Sequence, residues 1–230
     1  MGGAGNVIVT IDGPAGAGKS SIARQVADRL GFEFLDTGAM YRAITLGAIR
    51  SQVEFDDPAA VIGFAEKARL RWEEHRLFLN ETEVTEEIRS PIVTDSIRFV
   101  ADVPEIRSIL SQRQREIAQG RNIVTEGRDQ GSEVFPDAEC KIFLTASPEE
   151  RAKRRHQQLA DTGRPIPLDE ILRAQNRRDE EDRNRPMGAL RPADDAVVLE
   201  SDGLTTEEVL ERTLQIVEKA IEANQVNDCS

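Results

Sequence analysis

A glycine-rich segment of eight residues near the start of the chain constrains its fold more than any other feature. It reads Gly13-Pro14-Ala15-Gly16-Ala17-Gly18-Lys19-Ser20 and matches the pattern G-x-x-x-x-G-K-S. A β-branched apolar run at residues 7–11 precedes it, and residues 20–30 follow with apolar side chains at helical spacing. A strand, a glycine-rich turn and a helix in this order form a loop whose N–H groups surround phosphate oxygens. The segment predicts a nucleoside triphosphate site, with Lys19 on the β- and γ-phosphates and the Ser20 hydroxyl on Mg²⁺.

Short apolar runs alternate with helix-period segments along the rest of the chain. The runs lie at residues 34–35, 123–124, 142–144 and 196–199. This alternation predicts an α/β fold with a parallel sheet and helices on both faces. Between Ala68 and Arg89 the period changes to two, which predicts a small inserted antiparallel hairpin. Residues 163–167 interrupt two arginine-rich helical segments, and two helices meeting at a hinge there would form a mobile cover.

Composition and charge exclude several classes of protein. The chain has 230 residues and a formal charge of −12, which argues against a general nucleic-acid binder. No apolar run approaches the roughly 20 residues of a membrane-spanning helix, and the first residues do not resemble a secretory signal. The two cysteines, Cys140 and Cys229, exclude a disulfide framework and favour a reducing cytoplasm. We therefore expect a cytoplasmic protein with no nucleic-acid or membrane partner.

The motifs beyond the phosphate loop favour phosphoryl transfer over hydrolysis or sensing. The chain lacks the Asn-Lys-x-Asp run of a GTP switch and the long apolar strand ending in Asp-Glu of a motor ATPase. A transferase needs a second site with cations around the acceptor. Candidates follow the second and third apolar runs: Asp36 or Thr37 as a helix cap, Arg42 for a phosphate beside the only tyrosine, Tyr41, and Arg128 with Asp129 for a phosphate and a base edge.

Arginines are concentrated toward the end of the chain. Between Arg151 and Arg191 there are 11 basic and 7 acidic residues. Arg151, Arg154 and Arg155 share one helix face, as do Arg178, Asp182 and Arg185. Three like charges with no acid among them on the first of these faces predict an anion as their partner. Arginines on a movable cover would close over the polyphosphate, stabilise the transition state and exclude water.

With these residues assembled, the chain resembles the bacterial cytidylate kinase family over nearly its whole length. The resemblance rests on residues 11–20, 36–42, 126–129 with 134–138, 150–155 and 178–185. It implies transfer of a phosphoryl group from ATP to CMP or dCMP with Mg²⁺. It also implies a P-loop kinase fold with a five-stranded parallel sheet. The core would comprise 1–62 and 104–230, with an inserted monophosphate-binding domain at 63–103 and a mobile helical lid at 151–186. We further expect a monomer.

The resemblance assigns functional residues position by position. It implies catalytic roles for Lys19, Arg128, Arg151, Arg155 and Arg185. It implies ATP contacts for Asp12, Gly13, Pro14, Ala15, Gly16, Ala17, Gly18, Lys19 and Ser20, with Ser20 as the metal ligand. For CMP it implies Thr37, Tyr41, Arg42, Arg107, Arg128, Asp129, Arg178, Asp182 and Arg185. Among these, Arg42 and Arg128 would hold the phosphate, Arg107 and Asp129 would bind cytosine, and Arg178 and Asp182 would meet the pentose hydroxyls. Arg151, Arg154, Arg155 and Arg185 would belong to the lid and the phosphate clamp.

Some positions depart from the family pattern and leave alternatives open. Arg98 stands where the family usually has a base-contacting serine, with Ser96 two residues earlier. Glu126 and Thr37 replace the more common Asp and Ser, and besides Ser20 no unambiguous metal ligand stands out. An enzyme for UMP or another small acceptor, or a non-catalytic nucleotide sensor, are the alternative interpretations.

Overall fold

The computed structural model describes residues 6–73, 76–161, 163 and 165–227, and the chain forms two compact units. One unit comprises Met1–Leu35 and Ala118–Ser230, and the other comprises Asp36–Ile117. Predictions that involve Arg164 or Cys229 lie outside the described residues. In chain order the main elements are β1 (Ile8–Asp12), α1 (Lys19–Leu30), β2 (Glu33–Asp36), α2 (Thr37–Arg50), α3 (Pro58–Lys67), β3 (Leu70–Glu73), β4 (Arg76–Leu79), β5 (Thr82–Glu83), α4 (Pro91–Ser96), α5 (Arg98–Ala101), α6 (Pro104–Ala118), β6 (Ile123–Gly127), β7 (Cys140–Thr145), α7 (Pro148–Asp161), α8 (Leu168–Arg183), β8 (Val197–Glu200) and α9 (Thr206–Asn227).

A five-stranded sheet in the order β2-β6-β1-β7-β8 forms the centre of the first unit. β1 pairs in parallel with β6 and β7, so that Val9 lies between Val124 and Cys140. Val9 and Ile11 pack with α1 and α9 in one apolar cluster. Thr10 alternates to the opposite face, where a π-helix at Gln130–Val134 approaches it. The predicted α/β fold with a parallel sheet is confirmed. β1 is the central strand, and the phosphate loop begins directly after it.

The second unit contains an antiparallel sheet and a group of helices. Its three strands are ordered β3-β4-β5, and Leu70 pairs with Leu79. The predicted antiparallel hairpin is therefore present, although Glu74 and His75 in it lie outside the described residues.

The compact unit is wider than the inserted domain predicted at 63–103. Helix α2 packs against α3, β4, α4 and α5 within it. In α6, Nη2 of Arg113 donates to the carbonyl oxygens of Ala65 and Glu66 near the end of α3, at 2.8 and 3.0 Å. The predicted boundaries at 62 and 104 therefore do not coincide with the limits of the compact unit. Helix α2, before the insertion, and helix α6, after it, both contact residues of the insertion. A monophosphate-binding role for 63–103 stays a prediction.

Helices α7 and α8 occupy most of the segment predicted as a lid, 151–186. They pack against each other within the first unit. His156 Nδ1 lies 2.8 Å from the carbonyl oxygen of Ile166 and so ties α7 to the segment before α8. Movement of this segment stays a prediction. Among the residues that the structure describes, no helix has both the length and the apolar character needed to cross a bilayer.

Candidate active site

The phosphate loop adopts a backbone that requires its glycines. Gly13, Gly16 and Gly18 all have positive φ angles, at 147°, 81° and 91°. A Cβ atom on Gly13 would lie 2.0 Å from the carbonyl oxygen of Leu144, so no larger residue fits there. Helix α1 begins directly after Gly18, which has no side chain to cap the helix. Its first-turn N–H groups and positive dipole end therefore suit an anion such as a phosphate.

Lys19 lies buried at the start of α1. It is 5% exposed, and its Nζ donates to the carbonyl oxygen of Pro14 at 2.9 Å. Burial lowers the pKa of Lys19 to about 7, and the positive charge of Arg128 lowers it further. The carboxylates of Glu126 and Asp12 act in the opposite direction and raise this pKa. A polyphosphate in the loop would favour the charged ammonium form, so the site is electrostatically suited to an anionic ligand.

Ser20 and Glu126 are neighbours, although 106 positions separate them in the chain. The Ser20 hydroxyl donates to Oε1 of Glu126 at 2.6 Å, at the point where β6 ends. A hydroxyl and a carboxylate next to the phosphate loop are the oxygen donors that Mg²⁺ prefers, with phosphates and waters completing the shell. No cluster of three His, Cys, Asp or Glu side chains suited to a metal occurs among the described residues. Glu126 is thus a candidate metal ligand that sequence analysis left unassigned; its position at the end of an apolar run was the available signal.

Asp12 connects the end of β1 to the turn after β6. Its two carboxylate oxygens accept the N–H groups of Gln130 and Gly131 at 2.9 and 2.7 Å. Burial raises the pKa of Asp12 to about 7 against the effect of these two hydrogen bonds, and the negative charge of Asp129 raises it further. Asp12 therefore holds the turn that carries Arg128 and Asp129, and its predicted contact with ATP stays a prediction.

Two of the arginines predicted to bind the acceptor contact the predicted Asp182 in the first unit. Asp182 lies 2.9 Å from Nε of Arg128 and 2.6 Å from Nη2 of Arg185. Burial acts to raise the pKa of Asp182, but Arg128 and Arg185 outweigh it and hold this pKa below its usual value. The charge of Arg178 acts on both Asp182 and Lys19. The structure thus brings Arg128 and Arg178 into the electrostatic surroundings of Lys19, and Asp182 joins Arg128 to Arg185.

The arginines at the start of α7 do not form the acid-free face that the sequence predicts. Arg151 is 1% exposed and forms an ion pair with Asp179 at 2.6 Å. Arg154 contacts Glu150 and the Ser201 carbonyl oxygen. Arg155 is exposed and donates to the side chain of Gln158 at 2.9 Å. The expectation that an anion must balance this face was wrong for Arg151 and Arg154, because acids from α8 and from the preceding turn of α7 pair with them.

In the second unit, Arg42 is held by two oxygen atoms. Its Nη1 donates to the carbonyl oxygen of Ile88 at 3.2 Å and to Oγ1 of Thr94 at 2.9 Å. Asp36, rather than Thr37, caps α2 by accepting the N–H of Ala39 at 2.9 Å. Thr37 is the first residue of α2 and is buried.

Arg107 and Tyr41 also lie together in the second unit. The guanidinium of Arg107 lies 5.3 Å from the centre of the Tyr41 ring, and its Nη1 donates to the Ala101 carbonyl oxygen at 3.0 Å. Arg98, at the departure from the family pattern, is exposed and lies 4.8 Å from the centre of the Phe99 ring. Arg107, which the family resemblance assigns to cytosine, and the only tyrosine therefore form a packed contact.

Comparison with known proteins identifies the class to which this arrangement belongs. A sequence profile of the cytidylate kinase family matches residues 9–219. A cytidylate kinase of Rhodopirellula baltica is 57% identical over 224 residues, which cover 97% of this chain and 98% of the relative. A cytidylate kinase of Caldanaerobacter subterraneus subsp. tengcongensis is 43% identical, covering 93% and 95%. The solved structure of an uncharacterized protein from Eubacterium ventriosum has a TM-score of 0.54 at 11% identity, covering 93% of this chain and 99% of that chain, and so shares the fold.

The parallel sheet, the glycine loop after β1 and the buried Lys19 define the P-loop class of nucleotide-binding proteins. Both the profile and the relatives specify the group within that class. The chain belongs to the cytidylate kinase family.

Proposed function

We propose that the chain transfers the γ-phosphoryl group of ATP to CMP or dCMP, giving ADP and CDP or dCDP. The observation that carries this proposal is the grouping of Lys19, Ser20 and Glu126 at the phosphate loop, in a chain of the cytidylate kinase family. Arg128, Arg178 and Arg185, which act on or contact Asp182, add positive charge to the same unit.

The loop residues 12–20 are assigned to ATP. The N–H groups of the loop and the first turn of α1 bind phosphate oxygens, and Lys19 compensates the charge of the β- and γ-phosphates. Ser20 and Glu126 would hold Mg²⁺, which neutralises phosphate charge when it is bound.

The family resemblance assigns the CMP contacts residue by residue. Arg42, Arg128 and Arg185 are assigned to its phosphate, and Arg107 and Asp129 to cytosine. A cation and a carboxylate suit that base, which offers acceptors at O2 and N3 and a donor at N4. Arg178 and Asp182 are assigned to the pentose, and Thr37 and Tyr41 line the phosphate pocket. This assignment is supported by the residue types, by their match to the family motifs and by the partners described above.

The transfer requires positioning rather than a strong base. An oxygen of the CMP phosphate attacks the γ-phosphorus while the bond to the β-phosphate oxygen breaks, so that one phosphoryl group moves and ADP leaves. Lys19, Arg128 and Arg185 stabilise the charge that spreads over the transferred group. Arg155 is exposed on α7 and is assigned to the same task from the predicted lid, where it would also help to exclude water.

A coupled assay of ADP release across acceptors tests the proposal. CMP and dCMP are expected to give the largest kcat/KM among CMP, dCMP, UMP, AMP, GMP and shikimate. A preference for UMP or shikimate contradicts the assignment of cytosine, and ATP binding without any acceptor-dependent release indicates a sensor. We also propose a cytoplasmic protein, because two cysteines in 230 residues suit a reducing compartment, and a monomer; light scattering after size-exclusion chromatography measures its mass.

A further inference from the structure

Arg151 differs from the other arginines of the predicted lid in its surroundings. It is among the largest fully buried side chains of the protein, at 1% exposure. Each nitrogen of its guanidinium has an oxygen neighbour: Nε donates to the Ala146 carbonyl at 3.1 Å, and Nη1 donates to the Ala15 carbonyl at 2.9 Å. Nη2 lies 2.6 Å from Oδ2 of Asp179. All three nitrogens are thus used by the protein itself.

Asp179 supplies the charge that allows this burial. It belongs to α8, is 1% exposed and lies 28 positions after Arg151 in the chain. A buried charge whose partner is removed is strongly destabilised, so the pair holds the first turn of α7 to α8. A second contact supports the same junction, because Gln175 Nε2 lies 3.4 Å from the Arg151 carbonyl oxygen.

The contact between α7 and α8 also includes the phosphate loop, through the carbonyl group of Ala15. A loop that directs its N–H groups toward an anion turns carbonyl groups in other directions, and these carbonyls need donors of their own. In this loop Lys19 binds the Pro14 carbonyl and Arg151 binds the Ala15 carbonyl. A Cβ atom on Gly16 would meet Gln175 Nε2 at 2.9 Å, so α8 lies directly against the loop.

We propose that Arg151 and Asp179 are positioning residues that hold the phosphate loop in its ATP-binding conformation, and that Arg151 does not itself contact phosphate. This inference rests on the proposed assignment of the loop to ATP. It replaces the catalytic role that the sequence predicts for Arg151. It also limits the predicted lid, because Arg151 and Asp179 form its fixed base. Any movement then involves the part of α7 after Arg151 and the part of α8 before Asp179.

The substitution Asp179→Asn tests the inference while preserving the shape of the side chain. Without the carboxylate charge, Arg151 is no longer held on the Ala15 carbonyl, and the loop loses its fixed conformation. We expect the KM for ATP to rise about 10-fold to 100-fold, since small displacements at a reacting site have effects of that size. The KM for CMP should stay unchanged. Asp169→Asn is the matched control, because Asp169 forms an exposed ion pair with Arg173 at 2.8 Å on the same helix.

The opposite result has a distinct signature. If Arg151 acted on phosphate directly, Asp179→Asn would release it toward ATP, and the KM for ATP would stay the same or fall. A lowered melting temperature with both KM values unchanged would show a structural role alone, and either result overturns the proposal.

A double variant keeps the test valid if Asp179→Asn does not fold. Replacing a buried ion pair by apolar residues of similar volume often preserves stability. The variant R151M/D179L leaves no unpaired buried charge and should therefore fold more readily than Asp179→Asn, although the Ala15 and Ala146 carbonyls lose their donors. It should still show the raised KM for ATP; a normal KM overturns the proposal. Lys19→Ala, measured in parallel, separates the two assignments: if it leaves kcat/KM for ATP unchanged, the loop is not the ATP site.

Discussion

The buried ammonium group of Lys19 predicts that ATP binding takes up a proton. The pKa of Lys19 is lowered to about 7, mainly by burial and next by Arg128. At about pH 8, roughly nine-tenths of the ligand-free molecules therefore carry a neutral Lys19. The phosphates of bound ATP favour the ammonium form and raise this pKa well above pH 8. Binding should then take up about 0.9 protons per ATP, according to proton linkage.

Isothermal titration calorimetry measures this uptake. Protons taken up by the protein come from the buffer, so the observed heat of MgATP binding changes with the ionisation enthalpy of the buffer. The slope between Tris and HEPES at about pH 8 should correspond to nearly one proton, and Lys19→Met should reduce it, leaving only the uptake by Asp12, whose pKa is also about 7. A binding heat that is independent of the buffer in the unaltered protein refutes the electrostatic interpretation of the site.

The same shift makes a prediction about the stability of the ligand-free protein. Folding lowers the pKa of Lys19 from the ordinary lysine value of 10.5 to about 7, so folding opposes its protonation. The cost is fully present below about pH 7 and disappears as the pH rises toward the unfolded value. Lys19→Met should therefore raise the melting temperature more at about pH 6 than at about pH 9. A difference that is constant with pH contradicts the lowered pKa.

Three further substitutions test individual contacts. Glu126→Gln removes the charge beside Ser20 and should raise the Mg²⁺ concentration for half-maximal activity about 10-fold or more, measured by metal titration at saturating ATP. Gly47→Ala places a Cβ 2.5 Å from Cζ of Phe64 and should lower the free energy of unfolding by about 1–3 kcal/mol in urea. Arg98→Ser introduces the hydroxyl that is usual in the family and should lower the KM for CMP about 5-fold, the value of one net hydrogen bond.

Controls for these substitutions lie close to the altered positions. Gly63→Ala is matched to Gly47→Ala, since a Cβ on Gly63 of α3 meets nothing within 4 Å, and it should not destabilise the protein. Trp72, the only tryptophan, reports unfolding of the second unit by fluorescence. An unchanged Mg²⁺ requirement in Glu126→Gln removes Glu126 from the metal site. Equal KM values for CMP before and after Arg98→Ser show that position 98 does not contact the base.

Local patterns in the sequence were sufficient to predict the fold class and the phosphate loop. The apolar run before Gly13 and the helical spacing after Lys19 predict a strand, loop and helix that the structure contains as β1 and α1. Such signals are local, since strand and helix periodicities and the glycine backbone requirement act over neighbouring residues. The hairpin between 68 and 89 was recognisable for the same reason, through its period of two.

Partners that are distant in the chain were decided only by the tertiary structure. Sequence spacing placed Arg151 on a face without acids, whereas folding buries it against Asp179. Glu126 came next to Ser20, and Asp182 came next to Arg128, through contacts 106 and 54 positions apart. Helical spacing determines which residues share a face, but the packing of one element on another determines which charge they meet and whether water reaches them. The sequence alone therefore predicted the glycine loop and its helix, and the packing of α7 against α8 decided which of the arginines are paired within the protein.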